Sequence, residues 1–268
     1  MGAGPVAVLW HSLFVDSSTW QRLQATLARH RRLLLIDGPG HGNNPPPPGT
    51  FTMDDCAAAA CTVLDQLGGQ EPVDWVGNAW GGHVGTVFAA NNAWRCRSLV
   101  SIAAPVHALP PDQRRGISAA VVAYRLLGPV KPLVKVVVDG LLGKDSDPGA
   151  AALVADAFRR AQRRGMATAI RSASLNRDDA SAALAAVEAP TLLVAGADDK
   201  LWPPAMAQAA GRHLQHGAIV TVPGAGHVAP LLMAAPTVAE LLTEFWADPA
   251  ETVRRHALKP TASTPPPS

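Results

Sequence analysis

The stretch VDWVGNAWGGHVG, Val73–Gly85, reads as an apolar strand, a glycine, a turn of small residues and a helical run. Gly77-Asn78-Ala79-Trp80-Gly81 fits the order small, any, nucleophile, any, small. Its glycines permit a strained backbone and a close approach of helix to strand. Such a turn lifts its central side chain above a sheet and aims the next backbone N–H, that of Trp80, at the same spot. The central position holds Ala79, which has no lone pair and attacks nothing. Alone, a small-residue turn after a strand is a weak signal, so the rest of the chain decides its meaning.

Short, nearly continuous apolar runs bounded by Gly, Pro or Asn recur at 6–10, 33–37, 73–77, 98–103, 191–196 and 218–224. This is how strands buried on both faces of a parallel sheet read. Helical patterns lie between them, at 19–30 and 53–68 for example. In the second, Asp54 and Asp55 favour a helix start and Gly68 a stop. The alternation predicts an α/β fold with a mostly parallel central sheet flanked by helices. It breaks between Val106 and Val187, an alanine-rich helical segment with no convincing strand. The expected organisation is a core formed by 1–105 and 188–250 with a helical insertion at 106–187. The proline-rich end, 258–268, has too little apolar surface to pack and reads as a disordered tail.

Composition excludes several classes. The formal net charge is +2 over 268 residues, with no basic run of the kind that binds nucleic acid. The pairs Arg31-Arg32, Arg114-Arg115 and Arg163-Arg164 read as solvated faces. Cys56, Cys61 and Cys96 make no Cys-x-x-Cys spacing, so zinc and dithiol chemistry are not expected and packing is the default role. Charges and prolines interrupt the most apolar stretch, so no membrane span is expected. Neither a phosphate-cradling glycine motif nor clustered metal ligands appear, so no cofactor and no metal are expected. The simplest reading is a cytoplasmic protein with a small-molecule substrate or ligand.

Three further segments bear on the turn. LWHSLFVDSSTW follows the first strand as an oxyanion loop would, with Leu13 offering a second backbone N–H. AGADDKLWPP places Asp198 and Asp199 at a strand's carboxyl end. VPGAGHVAP puts His227 in a glycine-flanked loop after the last strand. Nucleophile position, acid and histidine follow one another in the chain order of a single fold.

On these residues the chain resembles the α/β-hydrolase superfamily, from Pro5 to about Phe245. The family's His-Gly after its third strand stands here as His11-Ser12, and its Asp-x-x-Gly-His-Gly segment as DGPGHG, 37–42. The family's Gly-x-x-Asp stands as Gly196-Ala197-Asp198-Asp199, which selects Asp199 as the acid. The resemblance implies that the insertion is a cap over the site. It also aligns the start of the chain with the run-in to the family's third strand. The first two strands, normally an antiparallel edge, are then expected to be missing, from a start downstream of the true one or with a bare edge that needs cover.

The implied site comprises His227 as base, Asp199 as its orienting acid, and the N–H groups of Leu13 and Trp80 as oxyanion donors. His11, Ser12 and Asn78 are possible pocket residues, and His83 is expected to face helix packing. Ala79 excludes covalent acyl-enzyme chemistry at that position. Haloalkane dehalogenases, whose tryptophan after the nucleophile Trp80 matches, need an Asp at position 79. Epoxide hydrolases need that Asp and a pair of cap tyrosines, where this chain has only Tyr124. What remains is the ester, thioester, lactone or carbon–carbon hydrolase branch without its nucleophile. In that branch the His–Asp pair acts as general base on water or on a substrate proton. Three other readings stay open: a Ser-to-Ala inactivated hydrolase, a non-catalytic ligand binder on the same scaffold, and substitution by Ser12. The apolar residues Ile117, Val121, Val122, Leu126, Leu127, Leu133 and Val137 of the insertion suggest an apolar substrate.

Overall fold

Side chains along β1 (Val6–Trp10) divide by parity: Ala7 and Leu9 pack in one hydrophobic cluster, Val8 and Trp10 in another. Successive strand residues face opposite sides of a sheet, so β1 is buried on both. The computed structural model describes residues 1–69, 71–224 and 226–256, and the tail expected at 258–268 lies outside them.

The same reasoning holds for β3 (Val73–Asn78), β4 (Cys96–Ile102) and β5 (Thr191–Gly196), whereas β2 (Arg32–Ile36) and β6 (Gly217–Val222), at the sheet's edges, are only partly buried. These form one six-stranded sheet in the order β2-β1-β3-β4-β5-β6, and every pairing is parallel. Helix α1 (Gln21–Leu27) packs on one face through Leu23 and Leu27. Helices α2 (Met53–Gln66) and α3 (Trp80–Asn91) cover the other through Cys56, Leu64, Val84 and Phe88. Helix α2 starts with a capping box in which Thr52 and Asp55 satisfy each other's backbone N–H groups.

The chain leaves β1 toward β2, then returns to place β3 on the other side of β1. Strand order reverses there, and crevices for ligands open outside the carboxyl ends of the strands flanking such a reversal. Those ends carry Ser12 and Leu13 after β1 and Ala79 after β3.

Between β4 and β5 the described residues hold helices and no strand: α4 (Pro111–Leu127), α5 (Lys131–Leu142), α6 (Pro148–Arg160), α7 (Arg163–Ile170) and α8 (Ser181–Ala185). Beyond β5 come α9 (Pro204–Gly211), α10 (Ala229–Leu232), α11 (Ala235–Ala247) and α12 (Pro249–His256).

No strand precedes β1 among the described residues. The start of the outer edge of β2 is not bare, since the Leu33 N–H donates to the Met1 carbonyl at 2.7 Å. One expectation is corrected here. Arg31 is not part of a solvated face: its Nε donates to the buried Asp74 at 2.6 Å, and its guanidinium stacks over Trp246. All three cysteines are free thiols, Cys56 and Cys96 being buried, where desolvation raises each to about 12. No helix of the described residues is long and apolar enough to cross a membrane.

Candidate active site

Ala79 sits between β3 and α3 with φ 47° and ψ −104°, a backbone conformation that L residues adopt only under constraint. The constraint is visible on both sides. Its own N–H donates to the Ile102 carbonyl at 2.8 Å, and the Gly81 N–H donates to the His11 carbonyl at 3.2 Å. Gly77 and Gly81 make the approach possible. A methyl group on Gly77 would collide with the carbonyl of Gly81, and one on Gly81 with the carbonyl of Trp10.

His227 occupies the loop between β6 and α10. Its Nδ1 lies 2.7 Å from Asp199 Oδ2, and since a carboxylate only accepts, Nδ1 carries the proton. The other carboxylate oxygen of Asp199 accepts from the N–H groups of Leu201 and Trp202, at 2.8 and 3.1 Å. Burial opposes the charge on Asp199. The bonds from His227 and from these two amides outweigh it and hold the carboxyl below its ordinary range. Asp198, its neighbour, is exposed.

Two contacts fix the histidine loop from opposite sides. Asn78 Nδ2 donates to the His227 carbonyl at 2.7 Å and to the Ile102 carbonyl at 3.1 Å. The Val228 N–H donates to the Leu141 carbonyl of α5 at 2.8 Å, joining the loop to the helical segment.

A cavity of about 530 Å³ brings Ser12, Leu13, Ala79, Trp80 and His227 into one lining, with walls from α4, α5 and the segment after α7. That is the size range of small-ligand sites. Among the described residues, neither the Leu13 nor the Trp80 N–H has a protein acceptor. Of the insertion's apolar residues, Ile117, Val121, Leu133 and Val137 line this cavity. Val122, Leu126 and Leu127 do not; they lie on the wet side of α4, Leu126 being 74% exposed.

Three sequence expectations are corrected. His11 is not a pocket residue: its Nε2 accepts the Gly38 N–H at 2.9 Å and its Nδ1 meets the Ser12 carbonyl at 2.6 Å. Full burial outweighs the Ser12 carbonyl and the nearby charge of Asp16 and pushes it down to about 4, so the ring is a neutral brace between two loops. Asn78 likewise lies behind the cavity wall, as the anchor of His227. His83, expected to serve packing, lines the cavity and meets the Pro105 carbonyl at 2.7 Å. Ser12 does line the cavity, and among the described residues its hydroxyl makes no hydrogen bond to His227. Arg177 was not singled out in the sequence, where Arg-Asp-Asp looks like any solvated charge run, yet it is half-buried at the cavity. Among the described residues no three His, Cys, Asp or Glu side chains are grouped as a metal would need.

A strained turn at the reversal of strand order, with an acid and a histidine in the loops after later strands, is how α/β hydrolases are organised. The chain belongs to the alpha/beta hydrolase family, whose model matches residues 7–241. Similar sequences include a pimeloyl-(acyl-carrier protein) methyl ester esterase of Xanthomonas campestris pv. campestris, 29% identical over 262 residues that span 92% of this chain and 97% of that protein. Among solved structures, an esterase from Thermogutta terrifontis superposes with a TM-score of 0.86 at 22% identity, covering 93% of this chain and 92% of that one. The enol-lactonase from Burkholderia xenovorans LB400 gives 0.82 at 21% identity, covering 92% and 93%.

Proposed function

We propose that this protein hydrolyses a small carboxylic ester by general-base catalysis, with His227 activating water in place of an amino-acid nucleophile. The observation that carries the reading is the 2.7 Å bond from His227 to Asp199, made by a histidine that lines the same cavity as Ala79. The bond keeps the proton on Nδ1 and leaves Nε2 as a base. The names of similar proteins, a methyl ester esterase and an enol-lactonase, agree with an ester or lactone as substrate.

In this mechanism a water molecule takes the space that a longer side chain at position 79 would fill. His227 Nε2 accepts its proton as the oxygen attacks the ester carbonyl, and Asp199 stabilises the imidazolium that forms. The N–H groups of Leu13 and Trp80 receive the oxyanion. Collapse of the tetrahedral intermediate expels the alkoxide, which takes the proton back from His227. Helices α4–α8 serve as a cap that excludes bulk water from the cavity.

The test is hydrolysis of short aryl esters by the unmodified protein, His227→Ala and Ala79→Ser. We expect slow turnover by the unmodified protein, a loss of about 10²-fold or more in His227→Ala, and a gain of about 10²-fold or more in Ala79→Ser. Turnover seen only in Ala79→Ser overturns the reading in favour of a hydrolase that has lost its nucleophile. Silence in all three, with tight binding of an apolar ligand, overturns it in favour of a binding protein.

A further inference from the structure

Arg177 stands in the cavity wall without a carboxylate partner among the described residues. Its Nη2 donates to the His107 carbonyl at 2.6 Å. Its Nη1 lies 3.3 Å from His83 Nε2, but that nitrogen is 2.7 Å from the Pro105 carbonyl and so carries a proton of its own. Two donors therefore face each other, and Nη1 gains no acceptor there. The Nε of Arg177 is buried and has no hydrogen-bond partner. The nearest acid in sequence, Asp178, is exposed; the next, Asp179, bonds instead to His107 Nδ1 at 3.0 Å and to the Ser181 N–H at 2.8 Å.

A half-buried guanidinium left with spare donors is costly unless something supplies the missing charge. Desolvation lowers Arg177 only to about 10, so it is a cation at neutral pH. The rest of the lining is dominated by side chains such as Leu109, Ile117, Val121 and Leu133, which offer an anion nothing. Lys200, the other cation of the lining, is exposed at its rim. One planar guanidinium with free donors matches one carboxylate, whereas a phosphate dianion calls for more donors than this wall presents.

We propose that Arg177 binds a carboxylate carried by the substrate at the end remote from the scissile ester, so that the protein takes half-esters of dicarboxylic acids. The inference rests on the esterase reading above and specifies its substrate class. His83 sits one helical turn beyond Ala79 and is adjacent to Arg177, which places the carboxylate site on the same side of the cavity as the turn.

Binding and turnover test the two readings separately. Calorimetric titration of the full chain carrying His227→Ala, in which no base consumes the ester, compares monomethyl adipate with dimethyl adipate. We expect the half-ester to bind about 10- to 100-fold more tightly, Arg177→Gln in the same background to abolish that preference, and Arg177→Lys to restore part of it. Equal affinities for the two esters before Arg177 is changed overturn the proposal with no further variant, as does a failure of the half-ester to bind. A preference that survives Arg177→Gln, or tighter binding of butyl phosphate than of the half-ester, also overturns it. Absence of ester hydrolysis by the unmodified protein, with the half-ester preference intact, would instead remove the esterase reading and leave a carboxylate-binding pocket.

Discussion

Asn78 shows how one side chain sets the geometry of another that lies far away in sequence. It is fully buried and spends both amide protons on carbonyls, those of Ile102 and of His227, so the end of β3 and the histidine loop move as one. Replacing it removes both bonds: the Ile102 carbonyl keeps the Ala79 N–H, while the His227 carbonyl loses its partner and the loop is freed. We expect Asn78→Ala to cost about 1–3 kcal/mol of stability and to lower kcat by about 10²-fold through misplacement of the imidazole. Affinity for a neutral ester should stay within twofold, because Asn78 is not part of the cavity lining. A fall in affinity matching the fall in kcat would show collapse of the pocket instead. The candidate pair was legible at this scale because motif spacing selects a residue in a loop at the end of a given strand, and Asp199 and His227 sit in such loops. The roles of His11, Asn78 and Arg177 were not legible. Sequence shows that a residue is polar, and only packing shows whether it braces a loop, anchors a carbonyl or faces a cavity.

Among the elements, α3 is the one whose placement the site depends on most. Its first turn is pressed against β1 and β3 with no room for a Cβ at Gly77 or Gly81. Backbone meets backbone there, and no rotamer change relieves a collision. Gly77→Ala should therefore destabilise the protein by about 3 kcal/mol, whereas the same change at Gly116, exposed on α4 with open space around it, should stabilise by about 1 kcal/mol. Urea denaturation of the two variants checks the opposite signs, and a neutral Gly77→Ala would mean that α3 has freedom to retreat. Strands and helices of the core were legible because both-face burial writes continuous apolar runs. The β1 and β5 ranges coincide with the apolar runs themselves. The wet and dry sides of α4 were not: Val121 and Tyr124 are buried while Val122, Leu126 and Leu127 are exposed, and all five are apolar or aromatic. Arg31 was misread for a related reason, since its partner Asp74 is 43 residues away and reachable only through the sheet.

At the scale of the whole molecule, three buried histidines make the fold sensitive to mild acid. His11 and His41 are pushed down by burial to about 4 and about 3, with the proximity of His11 adding to the shift of His41. Burial, and then the charge of Arg177, also hold His83 well below 6.5. In the unfolded chain each would take up a proton near pH 6.5. Between that value and the lower one the unfolded state holds the extra proton, so stability falls as pH falls through this window and is unaffected by these groups above it. Each histidine removes up to about 1.4 kcal/mol per pH unit well below pH 6.5. The three lie around one residue: His11 and His41 pack in one aromatic cluster with Trp80, while His83 lies in the first turn of the helix that Trp80 begins. His41 Nε2 has no hydrogen-bond partner, so His41→Phe removes a titrating group without breaking a bond at that atom. Chemical denaturation at intervals from pH 7.5 to pH 5, where most carboxylates stay ionised, should show stability decreasing with acid in the unmodified protein. In His41→Phe the slope should be about one third shallower, as one of three comparable contributions is lost. A slope unchanged by His41→Phe would mean that this ring takes up its proton without unfolding the loop that carries it.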